Sequence, residues 1–134
     1  MFIKFNNTYS ELPDAFYQKL KPTKVKNPEL LYFNSKLADC LGIKYSIQDK
    51  AQITEVLSGN EILDTAEPIA LVYAGHQFGY FVPKLGDGRA ILLGEVVDKK
   101  NQRFDIQLKG AGITSYSRNG DGRAALGPIL REPS

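Results

Sequence analysis

The chain has 134 residues, of which 43% are hydrophobic, 24% charged and 10% aromatic; that is enough for one domain with a real core, and too apolar for a disordered chain. Seventeen Lys+Arg against fifteen Asp+Glu leave a net charge of +2, without the massed basic charge that marks nucleic-acid or membrane-surface proteins. The single cysteine excludes an internal disulfide and points to a reducing compartment, no apolar run approaches the ~20 residues of a membrane helix, and residues 1–7 carry no secretory h-region.

The first sixty residues read as helical. A short helix is expected around Pro13 to Leu20. Lys19, Lys21, Lys24 and Lys26 come next, and with Pro22 among them they read as a solvated linker in preference to an anion-binding strip. Asn27-Pro28-Glu29 supplies an N-cap, a proline at the first helical position and an acidic first turn. Leu30, Phe33, Leu37 and Leu41 then recur at helical spacing up to Gly42, a C-terminal stop. Cys40 falls beside Leu37 and Leu41 and reads as an inert, semi-buried thiol. A further helix runs from Ile47 to Leu57, with Ala51, Ile53 and Leu57 inward and Ser58-Gly59-Asn60 closing it.

From Pro68 the pattern changes to strands. Ile69 to Tyr73 is a short apolar run that suits a buried strand, and Ala90 to Val97 is rich in aliphatic and β-branched residues. Asp98 to Gln102 is a polar turn. Arg103 to Lys109 then alternates, with Phe104, Ile106 and Leu108 on one face and Arg103, Asp105, Gln107 and Lys109 on the other. The two strands form an antiparallel hairpin with Lys109 at its far end. Near the C-terminus Pro128 opens a helix, with Ile129-Leu130 on its apolar face, and Pro133 blocks it within about one turn. The expectation is a domain cut short there.

Ten of the twelve glycines fall in the second half, and Gly-Asp-Gly-Arg-Ala occurs at 86–90 and again at 120–124. Closely spaced glycines allow positive φ and let backbone N–H groups converge on an anion. Taken alone, Gly86-Asp87-Gly88 is ordinary hairpin-turn chemistry, and Asp121 with Arg123 is an ordinary loop-stabilising pair. The order along the chain shifts the balance. Protein kinases cover the phosphates with a glycine-rich loop between two strands, reach them with a lysine on the third strand, and pair that lysine with a glutamate on the next helix. Here a glycine loop, a strand, a turn, a second strand ending at Lys109 and then Glu132 follow in that order, without the Val-Ala-Ile-Lys of ordinary kinases. His76, the only histidine, reads as a hydrogen-bonded structural residue between two tight glycine turns at Gly75 and Gly79. Ser115, Tyr116 and Ser117 are hydroxyls open to modification, with nothing local to activate them.

Four blocks together carry a specific signature: Tyr73-Ala-Gly-His-Gln-Phe-Gly79, Pro83-Lys-Leu-Gly-Asp-Gly-Arg-Ala90, Asp105-Ile-Gln-Leu-Lys-Gly110 and Tyr116-Ser-Arg-Asn-Gly-Asp-Gly-Arg-Ala124. They resemble the selenoprotein O (SelO) family, as do Phe5-Asn-Asn-Thr-Tyr9 and Asn27-Pro-Glu-Leu30. The resemblance implies an α+β chain forming the N-terminal part of a kinase-like (pseudokinase) fold: helices over 1–67, then over 68–134 part of a small lobe with an antiparallel sheet and a glycine-rich loop. It implies protein adenylylation, with ATP bound in an inverted orientation and AMP passed to a Ser, Thr or Tyr hydroxyl of a protein. By position, Gly86, Gly88, Arg89, Lys109, Asp121 and Gly122 match ATP contacts, and Glu132 matches the partner of Lys109. Ser115 stands where many members have proline. The catalytic aspartate, two phosphate-binding arginines and the ligands of Mg²⁺ or Mn²⁺ are expected beyond Ser134, so the chain by itself is expected to be inactive. The implied partners are ATP and proteins, not nucleic acid or membrane, in the cytoplasm (in mitochondria for eukaryotic members). A non-catalytic nucleotide- or partner-binding module, or a nonfunctional remnant, uses the same loops and stays open.

Overall fold

The computed structural model describes residues 1–131. In chain order the elements are Tyr17–Lys19 (β1), Ser35–Cys40 (α1), Lys50–Ser58 (α2), Ile69–Gln77 (β2), Tyr80–Gly86 (β3), Ala90–Val97 (β4), Arg103–Lys109 (β5) and Leu126–Arg131 (α3). The class is α+β: five strands pair in one antiparallel sheet, accompanied by short helices.

The hairpin of β4 and β5 forms as the alternation predicts, from Ala90↔Lys109 to Val97↔Arg103. Its turn closes on Asp98, whose Oδ1 accepts from the amides of Lys100 (2.7 Å) and Gln102 (2.8 Å). Asp98→Ala leaves both donors to water, and an expected loss of about 1 kcal/mol in urea unfolding checks the turn. A bulge between Leu92 and Gly94 shifts the pleat by one residue. That shift lets Val96 join Ile91 and Leu93 in one cluster with Ile3, Phe5, Leu108 and Ala111. Leu92 points the other way, against Ile69 and Tyr17. β4 is therefore buried on both faces, each fully buried aliphatic contributing roughly 1.5–3 kcal/mol.

β2 organises the rest. Its first residues pair with β1 (Tyr17↔Leu71, Lys19↔Ile69) and touch β4 at Ile69↔Leu92. Its remainder pairs with β3, from Val72↔Gly86 to Gln77↔Tyr80, through a bulge between Tyr73 and Gly75. Pro83 falls opposite that bulge, where no ladder hydrogen bond is demanded of it. The N-terminal residues cross over β4: the Asn6 amide donates to Glu95 O (2.7 Å), and Phe5 and Asn7 lie where a side chain at Gly94 would stand.

The N-terminal half departs from expectation in several places. Pro13 to Leu20 is not a helix; a 3-10 turn at Asp14–Phe16 leads into β1. The expected helix over 27–42 shrinks to Ser35–Cys40, because Asn27 adopts φ +48°, outside the extended range of an N-cap. Asn34 does the capping instead, its side chain accepting from the Leu37 amide at 3.0 Å. Leu31 and Tyr32 stay two-thirds exposed, so no apolar face there draws the segment into a helix. α2 matches its prediction and ends at Gly59 in the left-handed region (φ +82°), but its buried residues are Ile53 and Val56, while Ala51 is exposed. Cys40 is exposed, not semi-buried. The strand expected at 69–73 continues to Gln77, and β3 has no counterpart in the sequence reading. α3 begins at Leu126, two residues before Pro128. Among the described residues no helix is long and apolar enough to cross a membrane.

Candidate functional site

Asp87, Gly88 and Arg89 connect β3 to β4. The Asp87 amide donates to Leu71 O (3.0 Å), and its carboxylate turns into the sheet, accepting from the Leu71 amide (3.3 Å) and Gln107 Nε2 (3.4 Å). Burial pushes the Asp87 carboxyl above its usual range, with the Leu71 amide pulling the other way.

The loop's carbonyls are all taken by the protein. Asp87 O accepts from Thr114 Oγ1 (2.5 Å), Gly88 O from Ser117 Oγ (2.5 Å) and Arg89 O from the Gly110 amide (2.6 Å). The amides of Gly88 and Arg89 meet no acceptor among the described residues. With its three carbonyls turned in and the Gly88 and Arg89 N–H groups turned out, the loop has the polarity an anion requires.

Lys109 lies at the same end of the sheet, paired with Ala90 and exposed. The second Gly-Asp-Gly-Arg segment folds back to this end. The Gly112 amide donates to Gly122 O (3.1 Å), and Arg123 Nη1 and Nη2 donate to Gly110 O (3.3 Å) and Thr23 O (3.2 Å). Asp121 accepts from the Arg123 amide (2.8 Å) and is exposed, while Gly122 is buried at φ +68°. The structure thus gathers Gly86, Gly88, Arg89, Lys109, Asp121 and Gly122 at one end of the sheet. Glu132 lies outside the described residues.

Two readings change. Gly86 and Gly88 are demanded by packing, because a Cβ at either one would run into Tyr116. His76 does not sit between glycine turns: it lies on β2, exposed, with its ring edge-to-face against Phe81 at 5.5 Å, and the turn beyond it is Phe78-Gly79, both at positive φ. Thr114 was not singled out by sequence, and Ser117 and Tyr116 only as hydroxyls. The signal was present in the Thr114-x-x-Ser117 spacing, which brings two hydroxyls within reach of one turn. Among the described residues no group of three His, Cys, Asp or Glu is placed to hold a metal ion.

The family model described as protein adenylyltransferase SelO matches residues 1–133. The chain is 59% identical over 130 residues to the protein nucleotidyltransferase YdiU of Nitrobacter winogradskyi, covering 97% of the chain and 26% of that protein. It is 57% identical over 128 residues to the protein of that name from Bradyrhizobium sp. BTAi1 (96% and 26%), and 55% identical over 130 residues to that of Agrobacterium fabrum (97% and 27%). The chain therefore spans about a quarter of the length of these relatives. With the match running through every block at the sheet end that holds Lys109 and both glycine loops, the chain belongs to the SelO family of protein adenylyltransferases.

Proposed function

We propose that the chain forms part of the ATP site of an ATP-dependent protein adenylyltransferase with a kinase-like small lobe, acting on Ser, Thr or Tyr hydroxyls of proteins. The observation that carries this reading is the loop polarity: the carbonyls of Asp87, Gly88 and Arg89 are all occupied, and the Gly88 and Arg89 amides are turned away from protein acceptors beside Lys109. The α+β class, its antiparallel sheet and the family membership support it.

In this reading the Gly88 and Arg89 amides and the Arg89 guanidinium receive phosphate oxygens. Lys109 adds a compact positive charge, and Glu132 positions its stem. Gly122 and Asp121 contribute further ATP contacts where the second loop folds back. Residues 68–134 supply the small-lobe part, and residues 1–67 brace it. AMP transfer releases pyrophosphate, so donors aimed at the terminal phosphates stabilise the charge that develops there. Mg²⁺ or Mn²⁺, bound by residues of the family's later portion, would add further charge neutralisation.

Titrating the ¹⁵N-labelled chain with ATP is expected to shift the amides of Gly88, Arg89, Gly110 and Gly122 together, with weak affinity. Lys109→Ala weakens that affinity by about 5- to 150-fold, the equivalent of the ~1–3 kcal/mol of a hydrogen bond to a charged group. The purified 134-residue chain is expected to transfer no AMP to protein. Shifts absent from this sheet end, or unchanged affinity in the lysine variant, would remove the nucleotide reading and favour a module that binds a protein partner alone.

A further inference from the structure

We propose that the Thr114–Ser117 turn is a latch that sets the Asp87-Gly88-Arg89 loop for anion binding, with Thr114 and Ser117 as its positioning residues. This rests on the nucleotide reading above and adds what holds that site in its working shape.

In a trans peptide the carbonyl of one residue and the N–H of the next point in opposite directions. Thr114 Oγ1 donates to Asp87 O, which turns the Gly88 N–H outward; Ser117 Oγ donates to Gly88 O, which turns the Arg89 N–H outward. Two hydroxyls thus choose the direction of the two amides that meet no acceptor among the described residues. Glycine at 86 and 88 gives this loop many alternative conformations, so something outside the loop must select one.

The latch is itself held rigid. The Thr114 amide donates to Ser117 Oγ (2.9 Å), the Tyr116 amide to Thr114 Oγ1 (3.1 Å) and the Ser117 amide to Thr114 O (3.2 Å). Each hydroxyl therefore accepts from the backbone of its own turn while donating to the loop, which fixes its rotor. Gln18 on β1 ties the turn to the sheet from the far side: its Nε2 donates to Ser115 Oγ (2.6 Å) and its Oε1 accepts from the Ser115 amide (3.1 Å). Tyr116 covers Gly86, filling the space a side chain there would need. Thr114 is buried, at 5% exposure, so no water replaces its hydroxyl.

The test uses ¹⁵N relaxation and ATP titration of the 134-residue chain, comparing wild type with Thr114→Val/Ser117→Ala, Ser117→Ala alone and Thr114→Ser. In the double variant the order parameters of the Gly88 and Arg89 amides are expected to fall from about 0.85 to below about 0.6. ATP binding weakens about tenfold, while the amide shifts of β4 and β5 stay in place. Thr114→Ser keeps the hydroxyl and is expected to retain both order and affinity. If the double variant does not fold, Ser117→Ala is read alone, with the loss centred on Arg89. Retained order in the variants overturns the latch, and lost order with unchanged ATP affinity overturns its positioning role. A wild-type chain that gives no ATP shifts counts against the nucleotide reading, whereas the order parameters judge the latch without ATP.

Discussion

Gly122→Ala is expected to lower the melting temperature of the chain by about 10 °C, the largest effect of any glycine substitution outside a core strand. A Cβ at this position would overlap the carbonyl oxygen of Gly112 and stand 2.5 Å from the Ile113 amide nitrogen. Both obstacles are backbone, and backbone cannot swing aside as the end of a side chain can. The φ of +68° adds strain that an alanine does not relieve. The expected response is that the Gly112 amide loses Gly122 O and the second loop swings away from Lys109. ATP shifts at Gly110 and at position 122 should then disappear along with the stability. Gly127→Ala is the control: nothing lies within 4 Å of its Cβ and it sits in α3, so the melting temperature should hold or rise slightly. Equal melting temperatures for the Gly122 variant and wild type would mean that the two loops are not interlocked.

Glu95 carries the second large effect. It is a carboxylate at 5% exposure in the middle of β4. Its oxygens accept from the Thr8 amide and hydroxyl, the Tyr9 amide (2.9 Å) and Arg103 Nη1 (3.3 Å). Burial raises its pKa, but the Thr8 and Tyr9 donors and the Arg103 charge outweigh this and hold it below the usual glutamate range. Glu95→Ala takes the acceptor from the Thr8 and Tyr9 amides and the counter-charge from Arg103, whose guanidinium keeps its bonds to Asn6 O and Oδ1, at a cost of about 3 kcal/mol in urea unfolding. Arg103→Ala should cost less, because its side chain is 39% exposed and water replaces its partner.

The pH dependence follows from the direction of the shift. A carboxylate with a depressed folded pKa stabilises the fold above its unfolded value, about 4.3, and that contribution is lost as pH falls through the folded value. Asp87 acts in the opposite sense: its raised folded pKa makes its charge a small cost at neutral pH, relieved on acidification. Stability is therefore expected to hold or rise slightly as Asp87 protonates, then fall steeply below about pH 4. In Glu95→Gln the acid limb flattens while the Asp87 part remains. An unchanged acid limb in that variant would show that Glu95 is not the group responsible.

Local pattern carried part of this fold without help. The alternation from Arg103 to Lys109, with a polar turn before it, needs only one face buried and one wet, so the β4–β5 hairpin was legible from its own residues. The helix of Ile47 to Leu57 was equally legible, since its stop at Gly59 is a local backbone property. β1 was not: three residues make a strand only because Leu71 and Ile69 present a partner edge. β3 was hidden because its residues are mostly exposed and Pro83 looks like a breaker until the bulge opposite it is known. The helical spacing from Leu30 to Leu41 misled for the converse reason, since periodicity forms a helix only where a surface exists to bury its apolar face.

The candidate site divides in the same way. Sequence by itself determined the family, through four ordered blocks, and it placed Lys109 at the end of a strand. Only the tertiary structure decided how they are held. Gly86 and Gly88 taken alone read as turn formers, and only their order along the chain favours an anion loop; the fold adds that Tyr116 stands where their side chains would be. Which carbonyls of that loop face inward depends on two hydroxyls from a turn nearly thirty residues later in the chain. Composition and spacing record what each residue is able to do; which of its hydrogen bonds are already satisfied is a property of neighbours that only folding brings into contact.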